Sequence, residues 1–399
     1  MLPLVAVGGR WGKTTTARLL EAMLQRRRDR LALWIDQGIW VNGRRQVGEL
    51  IPWGEAMRSL AAGGLDLAIQ ELDARTVVAA GLPTKTYSLG IITSFCGNDR
   101  ICEAGGRSKI ERQAQLAIAH AVNPDGALIL NADDLAVADE GEETAAETIY
   151  YSVARSSPII RAHLGQGKRA VTVSSGMIVL CEGQKSQPVA PVRSVAIALG
   201  GAIVFQVQNA LAAVAAAWHL GVSPAQIAAT LNAFSSSPTI MPGACNQFAV
   251  GGATVLVDRF HDAVSARAVV RAVRKVPNRR RRLVVLSEAK LDLVTAPEIG
   301  RLLGHSFDLV IVHHDAQSHA AGEQNSVDPL VAKALRTSIA RNPVPPVVRG
   351  VADEPAALDK LLQELGLHDL ALVLASDPRL ALRALMTHRS GAVAAGAGG

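Results

Sequence analysis

The chain has 399 residues, of which 49% are hydrophobic and 19% charged, and carries a formal net charge of +6. At roughly 150 residues per domain this length suits two or three domains. No apolar run reaches the roughly 18 residues of a membrane span, so an integral helical membrane protein is excluded. Much of the positive charge lies in two runs, RRRDR (26–30) and RRRR (279–282). Each sits where a helix gives way to an apolar strand and reads as a solvated turn. With only 4% aromatic residues, nucleic acid is not expected as a partner, while an acidic partner or polyanionic substrate stays open.

The first element is the stretch MLPLVAVGGRWGKTTTARLL. Leu4, Val5 and Val7 read as a short buried strand. Gly8, Gly9 and Gly12 allow a tight bend, and residues from Thr14 to Arg26 suit a helix with Leu19, Leu20 and Met23 on one face. Strand, glycine loop and helix together form an anion cradle. The loop amides and helix N-terminus face a phosphate, Lys13 adds a charge, and the Thr14 hydroxyl suits a magnesium ion. The common phosphate-loop pattern places a glycine six residues before the lysine, where this chain has Val7. The bland alternative is a glycine-rich turn with an exposed lysine.

Strand-like and helix-like segments then alternate: LALWI (31–35), LDLAIQEL (65–72), LGIITSF (89–95), the helical SKIERQAQLAIAHAV (108–122), and ALILNAD (127–133). Such alternation predicts an α/β fold with a largely parallel sheet. TIYYSV (148–153) and the hairpin-like VTVSSGMIVL (171–180) suggest a small antiparallel add-on. Two alanine-rich helices follow, near 206–219 and 224–234. A Ser/Pro-rich break falls at SSSPTIMPGACN (235–246). Beyond it, FAVGGATVLVD (248–258) reads as a hairpin turning at Gly251-Gly252, and LVVLSE (283–288), DLVIVHH (308–314) and LALVLAS (370–376) as buried strands. The expected architecture is a P-loop α/β domain with a parallel sheet and a small antiparallel add-on (1–240), a second Rossmann-like α/β domain (241–390), and a disordered tail (391–399). The four scattered cysteines, Cys96, Cys102, Cys181 and Cys245, show no zinc spacing. With no basic region ahead of the first apolar segment, the expectation is a cytoplasmic protein with reduced thiols.

These landmarks together resemble the Mur ligase superfamily of ATP-dependent amide ligases, and among them the C-terminal ligase half of cyanophycin synthetases. GRWGKTTT falls on the family's GTNGKTTT, ITSFCGNDR on TNIGEDH, GALILNADDLAVA on GxxVLNADDP, and the helix pair FQVQNALAAVAAAWHLGVSPAQIAATLNAF on HNxxNALAA. MPGACN falls on PGRxN and VDRFHDA on VDYAHNP. The resemblance implies ATP and Mg²⁺, with a substrate carboxylate phosphorylated to an acyl phosphate that an amine then attacks. It implies that Gly9, Gly12, Lys13, Thr14, Thr15, Asn209 and Asp258 bind the nucleotide. Thr14, Glu71 and, as a weaker substitute ligand, Asp99 would hold the metal. On its own residues Glu71 reads equally as a solvated carboxylate.

The departures are specific. Arg10 and Trp11 replace a small polar pair, Arg100 a histidine, Gln206 the first asparagine of the helix motif, and Ala244 the arginine of PGR. His261 keeps the family histidine and Asp262 replaces its asparagine. Losing a guanidinium at 244 removes a bidentate phosphate donor. Arg10, Arg100 and Arg259 are candidate replacements, Arg10 being nearest the phosphates, so the expected catalytic set is Lys13, Glu71 and Arg10. Neither the UDP-binding first domain of murein ligases nor the ATP-grasp half of cyanophycin synthetases is expected from this sequence. A substrate-binding module would then come from a separate protein or another copy of this chain. The readings are an ATP-dependent ligase acting on an amino acid, peptide or poly(amino acid), or a degenerate nucleotide-binding subunit of a complex.

Overall fold

A computed structural model of the chain describes residues 2–25, 30–46, 64–95, 106–142, 144–277, 279–314 and 328–396. Asp99, Arg100, Cys96 and Cys102 lie outside the described residues. The chain divides into two compact units, Met1–Phe234 and Ser235–Gly399. This division falls in the Ser/Pro-rich break, six residues before the boundary read from sequence.

The first unit opens with β1 (Leu4–Gly8), α1 (Lys13–Leu24), β2 (Leu31–Ile35), β3 (Gly38–Val41), β4 (Arg44–Arg45) and β5 (Leu67–Glu71). It continues through α2 (Ala74–Ala80), β6 (Tyr87–Ile92), α3 (Gly106–His120), β7 (Val122–Asn131), α4 (Leu135–Ala138), β8 (Glu147–Ser152) and α5 (Pro158–Gly165). The hairpin strands β9 (Arg169–Ser174), β10 (Met177–Glu182) and β11 (Lys185–Pro191) precede α6 (Val204–His219) and α7 (Pro224–Ala233). One sheet of eleven strands runs in the order β11-β10-β9-β8-β7-β6-β1-β5-β2-β3-β4. Strands β9 through β2 in that order are all parallel. β8, read from sequence as part of the antiparallel add-on, is therefore parallel to both its neighbours. Antiparallel pairing begins at β10 on one side and β3 on the other.

The central strands are largely apolar because helices cover both faces. β1, β2 and β5 are buried at every residue. The alanine run of α6, Ala210–Ala217 with Leu211 and Val214, is fully buried. Its small side chains let α6 join Leu19, Leu20 and Met23 of α1 in one core. α7 starts where the sequence S-P-A-Q signals it: Ser223 accepts from the Gln226 amide in a capping box, with Pro224 in the first turn.

The second unit comprises β12 (Asn246–Val250), β13 (Ala253–Arg259), α8 (Ala263–Lys275), β14 (Arg282–Ser287), α9 (Ala296–Ser306) and β15 (Leu309–His313). It closes with α10 (Pro329–Ala340), β16 (Val347–Val351), α11 (Glu354–Glu364), β17 (Leu370–Ala375) and α12 (Pro378–Gly396). Its sheet has the order β12-β13-β17-β14-β15-β16, parallel except for the β12–β13 hairpin. Gly251 and Gly252 turn that hairpin with φ of 54° and 79°, the left-handed pair a two-residue turn requires. α12 continues through residues 391–396, part of the segment read as a disordered tail. The arginine run is fixed rather than simply solvated: Arg279 donates to the Thr254 hydroxyl, Arg281 pairs with Asp369 at 2.8 Å, and Arg282 donates to the Val276 carbonyl. No helix among the described residues is long and apolar enough to cross a membrane.

Candidate active site: a glycine loop facing a buried carboxylate

Residues 9–12 carry the chain from β1 into α1. Gly9 and Gly12 have φ of 113° and 86°, which side chains resist. Space decides the matter as well. A Cβ at Gly9 would lie 2.3 Å from Thr93 Oγ1, and one at Gly12 would lie 2.1 Å from Asn209 Oδ1. The loop is also tied down from β6. The Arg10 amide donates to the Ser94 carbonyl at 2.7 Å, and the Trp11 carbonyl accepts from the Thr93 hydroxyl at 2.6 Å and Ser94 Oγ at 3.2 Å. Gly12 caps α1, and no acidic residue occupies the helix's first turn. The first-turn amides and Lys13 thus present an anion-binding end.

At this end three predicted residues come together. Thr14 Oγ1 lies 2.8 and 3.1 Å from the two Glu71 carboxylate oxygens. Lys13 Nζ lies 3.9 Å from Glu71 and donates to the Arg10 carbonyl at 3.4 Å. Glu71 ends β5, next to β1, which is why a carboxylate 57 positions along the chain meets the loop. It is 8% exposed. Burial pushes its pKa up to about 7; the Lys13 ammonium opposes this and Asp36 reinforces it. Two ligands side by side on an octahedral Mg²⁺ with oxygens at 2.0–2.1 Å would stand about 2.9 Å apart. The Thr14–Glu71 spacing fits that, and a set of two protein oxygens suits a cation that keeps its waters and takes phosphate oxygens. Thr15 is buried in the same turn.

In the same loop, the Arg10 guanidinium lies 4.5 Å from the Trp11 ring centroid, and its Nε is 3.8 Å from Glu111 on α3. Asn209, on α6, is buried behind the loop. Its Nδ2 donates to Gln206 Oε1 at 3.1 Å, so the residue that replaces the motif's first asparagine fixes the amide of the second.

Sequence reasoning missed the layer beneath. The Thr93 carbonyl accepts from Asn131 Nδ2 at 2.9 Å and from the Tyr151 hydroxyl at 2.6 Å. Asp134 accepts from the Phe95 amide at 2.7 Å, and Asp133 from the Val153 amide and Gln208. The polar cluster ALILNADD was the signal. It secures β6, which in turn secures the loop.

In the second unit, Asp258 is the next-to-last residue of β13, and its Oδ1 accepts from the Cys245 amide at 3.0 Å and the Cys245 thiol at 3.5 Å. Burial pushes Asp258 up to about 6, against the lowering effect of Cys245's hydrogen bonds and Arg259. Asn246 is fully buried: Oδ1 accepts from the Gly243 amide, and Nδ2 donates to the carbonyls of Ser236 and Met241. Asp262 caps α8 in a reciprocal pair with Ser265, so its replacement of asparagine serves a helix start. Arg259 is exposed.

Residues 7–217 match the model of the Mur ligase middle domain, more than half of the chain. The chain belongs to the Mur ligase family. The cyanophycin synthetase of Nostoc sp. (strain PCC 7120 / SAG 25.82 / UTEX 2576) is 28% identical over 381 residues, covering 94% of this chain and 41% of its own length. This Mur ligase family chain therefore spans well under half of that relative. The UDP-N-acetylmuramoyl-L-alanyl-D-glutamate–2,6-diaminopimelate ligase of Geobacter metallireducens is 25% identical over 325 residues, covering 79% of this chain and 60% of its own. Among solved structures, E. coli FolC in complex with DHPP and ADP shares the fold with a TM-score of 0.66 at 15% identity, covering 97% of this chain and 89% of its own.

Proposed function

We propose that this chain is an ATP-dependent, ADP-forming carboxylate–amine ligase acting on an amino acid, a peptide or a poly(amino acid). The observation that carries the reading is the grouping of Lys13, Thr14 and Glu71 around the glycine loop. Lys13 and the first-turn amides of α1 hold phosphate charge, and Thr14 and Glu71 hold Mg²⁺. The metal supplies charge neutralisation on the phosphates. A substrate carboxylate oxygen attacks the γ-phosphorus and ADP leaves; an amine nitrogen then attacks the acyl carbon, phosphate leaves, and the nitrogen loses its proton to solvent. Most of the protein's contribution is positioning and electrostatics. Ala244 supplies no cation, and Arg10 takes that part. The alternative of a degenerate subunit lacks comparable support, because a relic would be free to lose the Lys13–Thr14–Glu71 set. A separate substrate-binding protein or a second copy of this chain belongs to this proposal.

The test is a screen of amino acids and small peptides, with and without candidate partner proteins, reading ADP release and product mass together. Lys13→Ala should abolish turnover and weaken ATP binding in calorimetry. Unchanged ATP affinity would reduce the loop to a turn.

A further inference from the structure

The pair that departs most from the family in the loop, Arg10 and Trp11, is held by a residue no motif contains. Glu111 lies on the first turns of α3, and its Oε1 is 3.8 Å from Arg10 Nε. The two side chains are only 12% and 13% exposed. On its other contact, the Arg10 guanidinium lies 4.5 Å from the centroid of the Trp11 ring. The backbone that bears both is immobilised, with the Arg10 amide on Ser94 and the Trp11 carbonyl on Thr93 and Ser94. Among the described residues, one carboxylate and one indole ring contact the arginine side chain.

We infer that Glu111 is a positioning residue for Arg10. This rests on the ligase reading above, in which Arg10 replaces the cation missing at Ala244. An arginine has a long side chain rich in rotamers, and its planar fork serves a phosphate only from a defined angle. The Glu111 carboxylate, 3.8 Å from Nε, attracts that edge of the guanidinium electrostatically and so biases where its terminal nitrogens, the edge that takes phosphate oxygens two at a time, come to lie. The Trp11 face holds the cation at a second point through its ring quadrupole. Both contacts lie at low exposure, where an ion pair is screened less than on an open surface. A small polar pair in these loop positions would leave Glu111 with no arginine to orient, so loop and helix residue form one device. Glu111 does not meet the substrate; it acts through Arg10.

The probes are Mg·ADP and Mg·ADP with aluminium fluoride, which imitates the phosphoryl group in transfer, bound to the full chain and measured by calorimetry. Arg10→Ala should leave Mg·ADP affinity within about threefold and weaken the fluoride complex by about a hundredfold, the usual loss for one donor aimed at transition-state charge. Glu111→Gln should weaken only the fluoride complex, by about tenfold, as a misplaced group does. Glu111→Asp should recover part of that loss, and Arg10→Ala with Glu111→Gln should be no worse than Arg10→Ala alone. Equal weakening of both complexes by Glu111→Gln would make Glu111 a structural residue and overturn the inference. So would additive losses in the double variant, or an effect of Arg10→Ala that Glu111→Gln does not share. If Arg10→Ala changes neither complex, the role of Arg10 fails and that of Glu111 with it. Failure of the wild-type chain to bind Mg·ADP at all would instead strike the nucleotide reading itself.

Discussion

Glu71 keeps a proton to an unusually high pH for a carboxylate, and that has two measurable effects of opposite use. Its pKa is about 7 in the folded chain against an ordinary 4.5, chiefly through burial. Between those values the folded chain holds a proton that the unfolded chain has released. The contribution of Glu71 to stability is therefore complete below about pH 4.5 and is lost as pH rises through about 7. A divalent cation needs the deprotonated carboxylate, so binding must displace that proton. We expect Mg²⁺ affinity, measured with ADP present, to rise by up to about tenfold per pH unit below pH 7 and then level off. Without metal, Glu71→Gln should flatten the fall in melting temperature between pH 5 and pH 7.5. Mg²⁺ affinity that is constant from pH 5.5 to 7.5 would contradict the assignment of Glu71 as a ligand.

Among elements, the segment leading into β12 depends on one side chain to a degree its sequence conceals. Asn246 accepts from the Gly243 amide at 2.6 Å and donates to the Ser236 and Met241 carbonyls at 2.9 Å each. Removing it leaves buried backbone groups without partners, each costing about 1–3 kcal/mol. Asn246→Ala should destabilise the second unit by about 3 kcal/mol in urea unfolding. Asn246→Asp should do more damage, since a carboxylate cannot donate to carbonyls. A loss below about 1 kcal/mol would mean that water replaces the amide. The motif that drew attention to this segment did so for its missing arginine, while the asparagine does the holding. Periodicity and apolar runs revealed β1, β2, β5 and β14 because strands buried on both faces are spelled mostly in apolar residues. They misjudged the direction of β8, since a strand's own residues carry no mark of whether its neighbour runs with it. They missed β16, whose VVRGV is largely exposed, and β3, a short half-buried strand at the sheet's margin. The Lys13–Thr14–Glu71 grouping was legible through the resemblance; the contacts of Thr93 and Glu111 were not, because only the sheet order brings them to the loop.

The whole chain consists of two units with separate cores, one gathered on α1 and α6 and one on β13, β17 and α11. All five tryptophans and all three tyrosines fall before residue 235. Tryptophan fluorescence therefore reports the first unit alone, and backbone circular dichroism reports both. In urea the two curves should not overlay. Mg·ADP at a hundred times its dissociation constant should stabilise the fluorescence transition by about 2.7 kcal/mol. Coincident curves would mean that the two cores melt as one.

The strands added outside the parallel core have a consequence for how copies of this molecule meet. Among the described residues, the eleven-stranded sheet ends on β4 and β11. β4 is two exposed arginines. β11 carries exposed Lys185 and Pro188, with Pro191 at its end. A strand border with free amides and carbonyls is a template for another chain, and natural sheets blunt it with charge, brevity and proline. Proline offers no amide to an incoming strand, and like-charged arginines repel their counterparts. The apolar ribbons β2 and β9, which would otherwise be the margins, are sheltered behind these borders. A sheet this wide can thus be concentrated without recruiting its neighbours into a fibre.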